Sequence, residues 1–227
     1  MPKHTYPLSS QEIKHYKDVG VNAANVSEEV LGMGAQMLAR PYTPNGCKYV
    51  VKTPLTQLTL GCMTNAYSAT IGRLLTMDFP QAAEELRLCH MEFTEFMIKT
   101  TLHPAEDKRR FSVVQEHLDM EPVTQETIKR GKVREDIQKI FTHNAVLMRT
   151  SGKWLDTMGF HPWKLLQFAT FGTPYFENVV LRRDTDIVQL FDFGLFPVTG
   201  LYFRFLLWLQ RKNAQKFGLN TSPIVAA

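Results

Sequence analysis

The sequence predicts a mainly α protein: an irregular multi-helix body with at most one short β-hairpin and a C-terminal apolar, amphipathic helix. Three observations point there. Helix-start signals recur, with Ser9 three residues before Glu12 and Asp78 two residues before Pro80. Apolar residues hold a helical period through two long runs, 81–102 and 124–150. The stretch LFDFGLFPVTGLYFRFLLWLQRKN, residues 190–213, gathers aromatic side chains with few charges.

In chain order, Ser9 and Glu12 form a capping box that starts a helix ending near Asp18. A second helix is expected from about Ser27 to Leu38, stopped where Arg40 precedes Pro41. Pro44-Asn45-Gly46 is a turn signal, with an extended segment from Cys47 to Lys52 on its far side. Residues 53–72 carry no charge, and Gly61, Ser68 and Gly72 are small enough for close helix packing, with Ser68 and Gly72 spaced as a small-xxx-small pair. Asp78 caps a helix running to the His103-Pro104 step, whose inner face is Leu86, Cys89, Phe93, Phe96 and Met97. The charged stretch 103–124 reads as a solvent-facing connection with one short helix. Thr124 opens an amphipathic helix with Val133, Ile137, Ile140, Phe141, Val146 and Leu147 on one stripe, and Gly152 ends it. Glycines and prolines then divide the aromatic-rich residues 153–186 into short helices. The resulting organisation is a helical body over 1–181 and a docking segment over 182–227.

Composition narrows the function. A 227-residue chain that is 44% hydrophobic is long enough for one sizeable core or two small ones. The net charge is only +4, and basic residues alternate with acidic ones without forming a stripe, so nucleic acid is not an expected partner. The three cysteines, Cys47, Cys62 and Cys89, are widely spaced and odd in number, which fits a reducing compartment and neither a disulfide framework nor a zinc site. The N-terminus lacks the apolar stretch of a secretory signal.

No catalytic signature is recognised. There is no GxSxG, GxxxxGK[ST] or HExxH, and LGMGAQ at 31–36 has two glycines without a preceding strand or following lysine. The ExxH at Glu12–His15 has no second copy, so a di-iron bundle would have to draw on Glu92, Glu95, Glu116 and His143. Cys89 beside His90 reads as a buried thiol, because adjacent helical residues diverge by about 100°. No cofactor or metal is expected.

The C-terminal run carries the functional reading. From Leu195 about fifteen residues form a helix of roughly 22 Å, short of the ~30 Å of a bilayer core. Gly200, Arg204, Trp208 and Arg211 share one side of it, and Leu195, Val198, Tyr202, Phe205, Leu206 and Leu209 the other. Basic residues flanked by Trp and Tyr suit a lipid headgroup level or the edge of a membrane complex. Phe191, Phe193, Phe196, Tyr202, Phe203 and Arg204 are expected to contact membrane or partner, together with Phe205, Leu206, Trp208, Leu209, Arg211 and Lys212. The expected function is a non-catalytic accessory subunit of a membrane-bound assembly, such as an ATP synthase or respiratory complex of the mitochondrial inner membrane. Its partners would be other protein subunits and anionic, cardiolipin-like lipid. The alternatives are a carboxylate-bridged di-iron oxygenase and a soluble homo-oligomeric interaction protein.

Overall fold

A computed structural model describes residues 4–33, 37–55, 78–159, 162–183 and 185–222. Gly61, Ser68 and Gly72, expected to pack helices, lie outside these residues. The chain divides into two compact units, Met1–Glu84 with Lys99–His117, and Glu85–Ile98 with Leu118–Ala227. The boundary expected near residue 182 falls inside the second unit, at the end of a strand.

The first unit is built on an antiparallel sheet, which overturns the mainly α expectation. Strands β3 (Gly32–Met33), β4 (Met37–Tyr42), β5 (Tyr49–Pro54), β6 (Thr100–Pro104) and β7 (Phe111–Glu116) lie in the order β3-β4-β5-β7-β6. A separate pair joins β1 (His4–Thr5) to β2 (Glu29–Val30). The helix expected over 27–38 is therefore a run of strands. Its spacing of Val30, Met33 and Leu38 fits a helical face, but long-range pairing decides the outcome: Gly32 pairs with Ala39, and β4 pairs with β5 along its whole length. The turn at Pro44-Asn45-Gly46 does join an extended pair, with Asn45 and Gly46 both at positive φ. It is not the sole hairpin, since β6 and β7 pair, with β7 lying wholly in the stretch expected to be a solvent-facing connection. The burial of Phe111, Val113 and Val114 explains the error, because β7 is central and its apolar residues do not alternate with polar ones.

Helix α1 (Ser10–Asp18) forms with the expected capping box: Ser9 Oγ accepts from the Glu12 amide at 3.1 Å, and Glu12 Oε2 accepts from the Ser9 amide at 2.9 Å. The same Glu12 side chain then turns inward, where its Oε1 accepts from Arg40 Nε on β4 at 2.9 Å with both side chains almost fully buried. Arg40 Nη1 also donates to the carbonyls of Tyr6 (3.0 Å) and Glu28 (2.7 Å). One ion pair thus ties α1, the N-terminal strand pair and the main sheet together. Tyr16, Val19, Val26, Val51 and Val114 pack beside it.

The second unit begins within helix α2 (Phe79–Phe93), capped as expected by Asp78, whose Oδ1 accepts from the Gln81 amide at 2.9 Å. Leu86, Cys89, Phe93, Phe96 and Met97 are all buried, although the helix ends ten residues before the His103-Pro104 step. Helix α3 (Gly131–Ser151) buries Val133, Ile137, Ile140, Phe141 and Leu147 and ends at Gly152 in the left-handed conformation, φ 67°. Around it lie strands β8 (Met120–Pro122), β10 (Val179–Arg182) and β11 (Ile187–Leu190), ordered β11-β10-β8, and a pair formed by β9 (Lys153–Leu155) and β12 (Leu195–Pro197). Helices α4 (Pro162–Phe171) and α5 (Gly200–Lys216) complete the unit.

The buried Arg40–Glu12 pair sets a test. Arg40→Leu leaves a buried carboxylate and two backbone carbonyls without their donor, and is expected to cost about 3–5 kcal/mol in urea unfolding. Arg40→Leu combined with Glu12→Leu is expected to recover part of that loss. If the double variant is no more stable than the single one, the carboxylate is not the source of the penalty.

Candidate functional site

Chemistry-bearing residues of the second unit converge where β9 ends and where the β10–β11 hairpin returns. Asn144 on α3 fixes β9: its Oδ1 accepts from the Leu155 amide at 2.8 Å, and its Nδ2 donates to the Leu155 carbonyl at 3.2 Å. Trp154 and Leu155 are fully buried, so the strand delivers the next residue, Asp156, at a fixed place. The Asp156 amide donates to the Gly194 carbonyl at 3.2 Å.

The Asp156 side chain is held by one oxygen. Its Oδ1 accepts from the amides of Met158 (3.1 Å) and Gly159 (3.0 Å) and from Nε2 of Gln210 on α5 (2.9 Å). Its Oδ2 has no hydrogen bond among the described residues. Burial pushes this carboxyl up to about 6, with the charges of Asp192 and Glu177 adding to the shift and the two amides opposing it. A carboxylate raised by burial and by a nearby carboxylate, and oriented by fixed donors, is a functional-site signature.

Asn178 enters β10 next to it. Asn178 Nδ2 donates to the Asp156 carbonyl at 2.8 Å. A carbonyl can only accept, so the amide nitrogen is committed, and Asn178 Oδ1 is left as the acceptor, beside Gly159. The Asn178 carbonyl accepts from the Phe191 amide at 2.9 Å, which links the hairpin's entry to its exit. Beyond β11 stand Asp192, Phe193 and Gly194. Asp192 Oδ1 accepts from the Phe193 amide at 2.9 Å, and Phe193 is buried. The Phe193 carbonyl accepts from the Cys89 thiol at 3.6 Å. Glu85 on α2 is buried, with Oε2 accepting from the Leu195 amide at 3.2 Å and Oε1 lying 3.7 Å from Lys153 Nζ. The Asp-Phe-Gly segment is thereby held from both sides.

In the first unit, Lys52 stands on the central strand β5 between Ala39 of β4 and Val113 of β7, and it is only 6% exposed. Gly32 lies on β3, two strands from Lys52, and pairs with Ala39. LGMGAQ does follow a strand, β2, which ends at Val30, although residues 34–36 lie outside the described ones.

None of Lys52, Glu85, Asp156, Asn178 or Asp192 was singled out from the sequence. The signals were present: Val51-Lys52 within YVVK, and Asp192-Phe193-Gly194 inside the very run read as lipid-facing. The expected metal candidates are placed differently. His143 Nδ1 meets Glu92 Oε1 at 2.8 Å and its Nε2 is 4.0 Å from Glu95, while Glu116 belongs to the first unit. Among the described residues no group of three metal-ligating side chains gathers, which removes the support for a di-iron oxygenase. Cys89 is a buried thiol, as expected, with its pKa raised by burial and by Glu85 and Asp192.

The membrane-subunit reading is also corrected. No helix among the described residues is long and apolar enough to cross a membrane. The run 187–209 is two strands and part of a helix, and its Val188, Leu190, Phe193 and Phe196 are buried within the chain itself. Of the other expected contact residues, Phe191, Leu206, Leu209 and Arg211 are half-buried, whereas Arg204, Phe205, Trp208 and Lys212 are exposed. The Tyr202 and Phe203 side chains lie outside the described ones. The buried face of α5 includes Gln210 and Asn213, two polar residues, in place of the expected wholly apolar face.

No protein-family model matches the chain, and no curated protein matches it. A match among solved structures is a chain in the CAK complex of Chaetomium thermophilum bound to ATP-gamma-S, at 14% identity and a TM-score of 0.39. The match covers 75% of this chain and 47% of that one, so the present chain spans about half its length. A likeness at this level decides neither fold nor function.

The raised Asp156 carboxyl predicts how stability varies with pH. Above about pH 6 the native state carries a charged carboxylate in an unfavourable place; below the unfolded value of about 3.9 both states are protonated and the penalty vanishes. Asp156→Asn is therefore expected to be more stable than the natural chain at pH 7.5, by on the order of 2 kcal/mol, and equal to it near pH 3.5. Denaturant titrations across that range check this, and a variant less stable than the parent at pH 7.5 contradicts it.

Proposed function

We propose that the chain is a nucleotide-dependent phosphotransferase of the protein-kinase type, in place of the non-catalytic subunit expected from the sequence. The observation that carries this reading is the Asn178–Asp156 hydrogen bond, which brings an Asp and an Asn together beside an Asp-Phe-Gly segment at the exit of the same hairpin. In the kinase signature set these are the catalytic base, a metal-binding amide and a metal-binding carboxylate. The first unit supports it with its own residues: Gly32 on β3, the first glycine of a Gly-Met-Gly in the sequence, and a buried lysine at the end of Tyr-Val-Val-Lys, residue types that contact nucleotide phosphates in that set.

The residues fit a magnesium–nucleotide complex. Mg²⁺ takes oxygen ligands and is held by one or two protein groups plus substrate phosphates, so the Asp192 carboxylate and Asn178 Oδ1 suffice without a third acidic ligand. When bound, the ion supplies neutralisation of phosphate charge. The chain's own contribution centres on Asp156. With Oδ1 occupied by three donors, Oδ2 is the oxygen left to accept the proton of an acceptor hydroxyl. The hydroxyl oxygen bonds to the terminal phosphorus as the bond from that phosphorus to the nucleoside diphosphate breaks. A carboxyl raised towards neutrality is suited to taking that proton.

The chain departs from the signature in ways that bear on substrate and control. Asp156 and Asn178 are 22 positions apart, against about five in the usual catalytic loop. Trp154-Leu155 precede the Asp where His-Arg is usual, Met37 stands in place of the third glycine, and helix α5 begins six positions after Gly194. A loop controlled by phosphorylation through an arginine next to the base is therefore not part of this proposal.

Binding of Mg²⁺–ATP, followed by calorimetry, is the first test. Asp192→Ala is expected to weaken it by about tenfold or more, as expected for a lost charged ligand, and Asp156→Asn to leave it within about twofold while reducing phosphoryl transfer or ATP hydrolysis by about a hundredfold or more. A natural chain that binds no Mg²⁺–ATP at millimolar concentration overturns the proposal.

A further inference from the structure

The long separation of Asp156 from Asn178 poses a structural problem that α5 addresses with two buried polar side chains. Gln210 and Asn213 are three positions apart and share one helix face. Gln210 is 3% exposed and Asn213 is fully buried, placements that are costly for polar side chains unless hydrogen bonds offset the burial.

Gln210 serves the Asp156 end. Its Oε1 accepts from Trp154 Nε1 at 2.9 Å and from Thr157 Oγ1 at 2.9 Å, while its Nε2 donates to Asp156 Oδ1 at 2.9 Å. An indole N–H only donates, so Oε1 must face Trp154 and the amide nitrogen is left for the carboxylate. Asn213 serves the Asn178 end. Its Oδ1 accepts from the Tyr175 amide at 2.9 Å, and its Nδ2 donates to the Tyr175 carbonyl at 2.7 Å. Tyr175 lies three residues before Asn178, and Phe176 between them stacks on Phe217 just past the end of α5, with ring centroids 4.7 Å apart. Met158, Phe168 and Tyr175 cluster between the two grips, with Leu209 of α5 packed against them.

We infer that Gln210 and Asn213 are positioning residues that hold the two ends of the inserted segment on one rigid helix face, so that Asp156 and Asn178 keep their mutual register despite the residues between them. This rests on the phosphotransferase reading for its catalytic meaning, but not for its geometry. The C-terminal helix then belongs to the machinery of the site. Gln210 acts through Asp156, and Asn213 through the backbone leading to Asn178.

Residue-resolved amide hydrogen exchange on the full chain tests the geometry, and turnover tests its consequence. Gln210→Glu keeps an acceptor for Trp154 and Thr157 but cannot donate to Asp156. In this variant the Met158 and Gly159 amides are expected to exchange about tenfold faster or more, with the Trp154 indole still protected and Val51 and Val114 of the first unit unchanged. Asn213→Ala is expected to accelerate the Tyr175 amide in the same selective way. Uniform acceleration along the chain, or none at these amides, overturns the inference. With Mg²⁺–ATP, Gln210→Glu is expected to retain affinity within about twofold and to lose turnover by about tenfold or more; unchanged turnover also overturns it. A natural chain that fails to bind Mg²⁺–ATP yet shows the selective exchange pattern refutes the phosphotransferase reading and leaves the positioning role standing.

Discussion

The second unit depends on how one carboxylate is kept in place. Asp156 sits where burial and two neighbouring acids, Asp192 and Glu177, oppose its charge. Three donors on a single oxygen oppose that penalty, and they come from two places: two from the turn that follows and one from a helix more than fifty residues later. The consequence is asymmetry. One oxygen is immobilised and saturated, and the other remains without a hydrogen bond among the described residues. A carboxylate on a flexible loop would share its donors between both oxygens and rotate, so the asymmetry requires the surrounding structure to be rigid. That requirement accounts for Asn144 clamping β9, for Glu85 bonded to the backbone after Gly194, and for polar residues on the buried side of α5.

Local signals in the sequence were legible wherever the chain decides its own conformation. The capping box at Ser9 and Glu12, the Asp78 cap, the Gly152 stop and the apolar stripe of α3 are all fixed by contacts within a few residues. The sheet was not legible, because its central strands do not alternate. Val50 and Val51 are consecutive buried residues, and Val113 and Val114 repeat the pattern. A short apolar run without alternation has no period of its own and is read according to its neighbours, which here were helical. The site suffered from the same limit in another form. Asp156 and Asn178 are ordinary residues in sequence, and only the fold brings them within 2.8 Å.

The C-terminal run shows why apolar content alone is a poor guide to lipid. Its hydrophobic residues are consumed in three different ways. Val188 and Leu190 are buried on strand β11, Phe193 and Phe196 are buried just before and just after Gly194 in the chain, and Leu209 joins the cluster of Met158, Phe168 and Tyr175. An aspartate and a glycine in the middle of such a run are out of place in a membrane helix. They are at home at a strand end, where a turn must expose a carboxylate and bury the aromatic ring beside it. Among the described side chains, what stays outside is a short patch, Phe205 stacked on Trp208 at 5.8 Å between centroids, and isolated apolar surface of that size is usual on folded chains.

Asp156 and Asn178 are 22 positions apart in sequence, and the energetic scale of loop closure shows that this separation is no obstacle to holding them together. Lengthening a closed loop from about five residues to about twenty-two costs only about 1.3 kcal/mol of additional closure entropy, because the cost grows with the logarithm of length. Each buried hydrogen bond returns about 1 kcal/mol, and the grips of Gln210 and Asn213, together with the stacked Phe176 and Phe217, exceed the deficit. The entropy that matters more is that of Asn178 relative to Asp156, since a site needs its groups placed to within a fraction of an ångström. The direct bond between the Asn178 amide and the Asp156 carbonyl supplies that last constraint, and it can do so because α5 has already brought both ends to the same place.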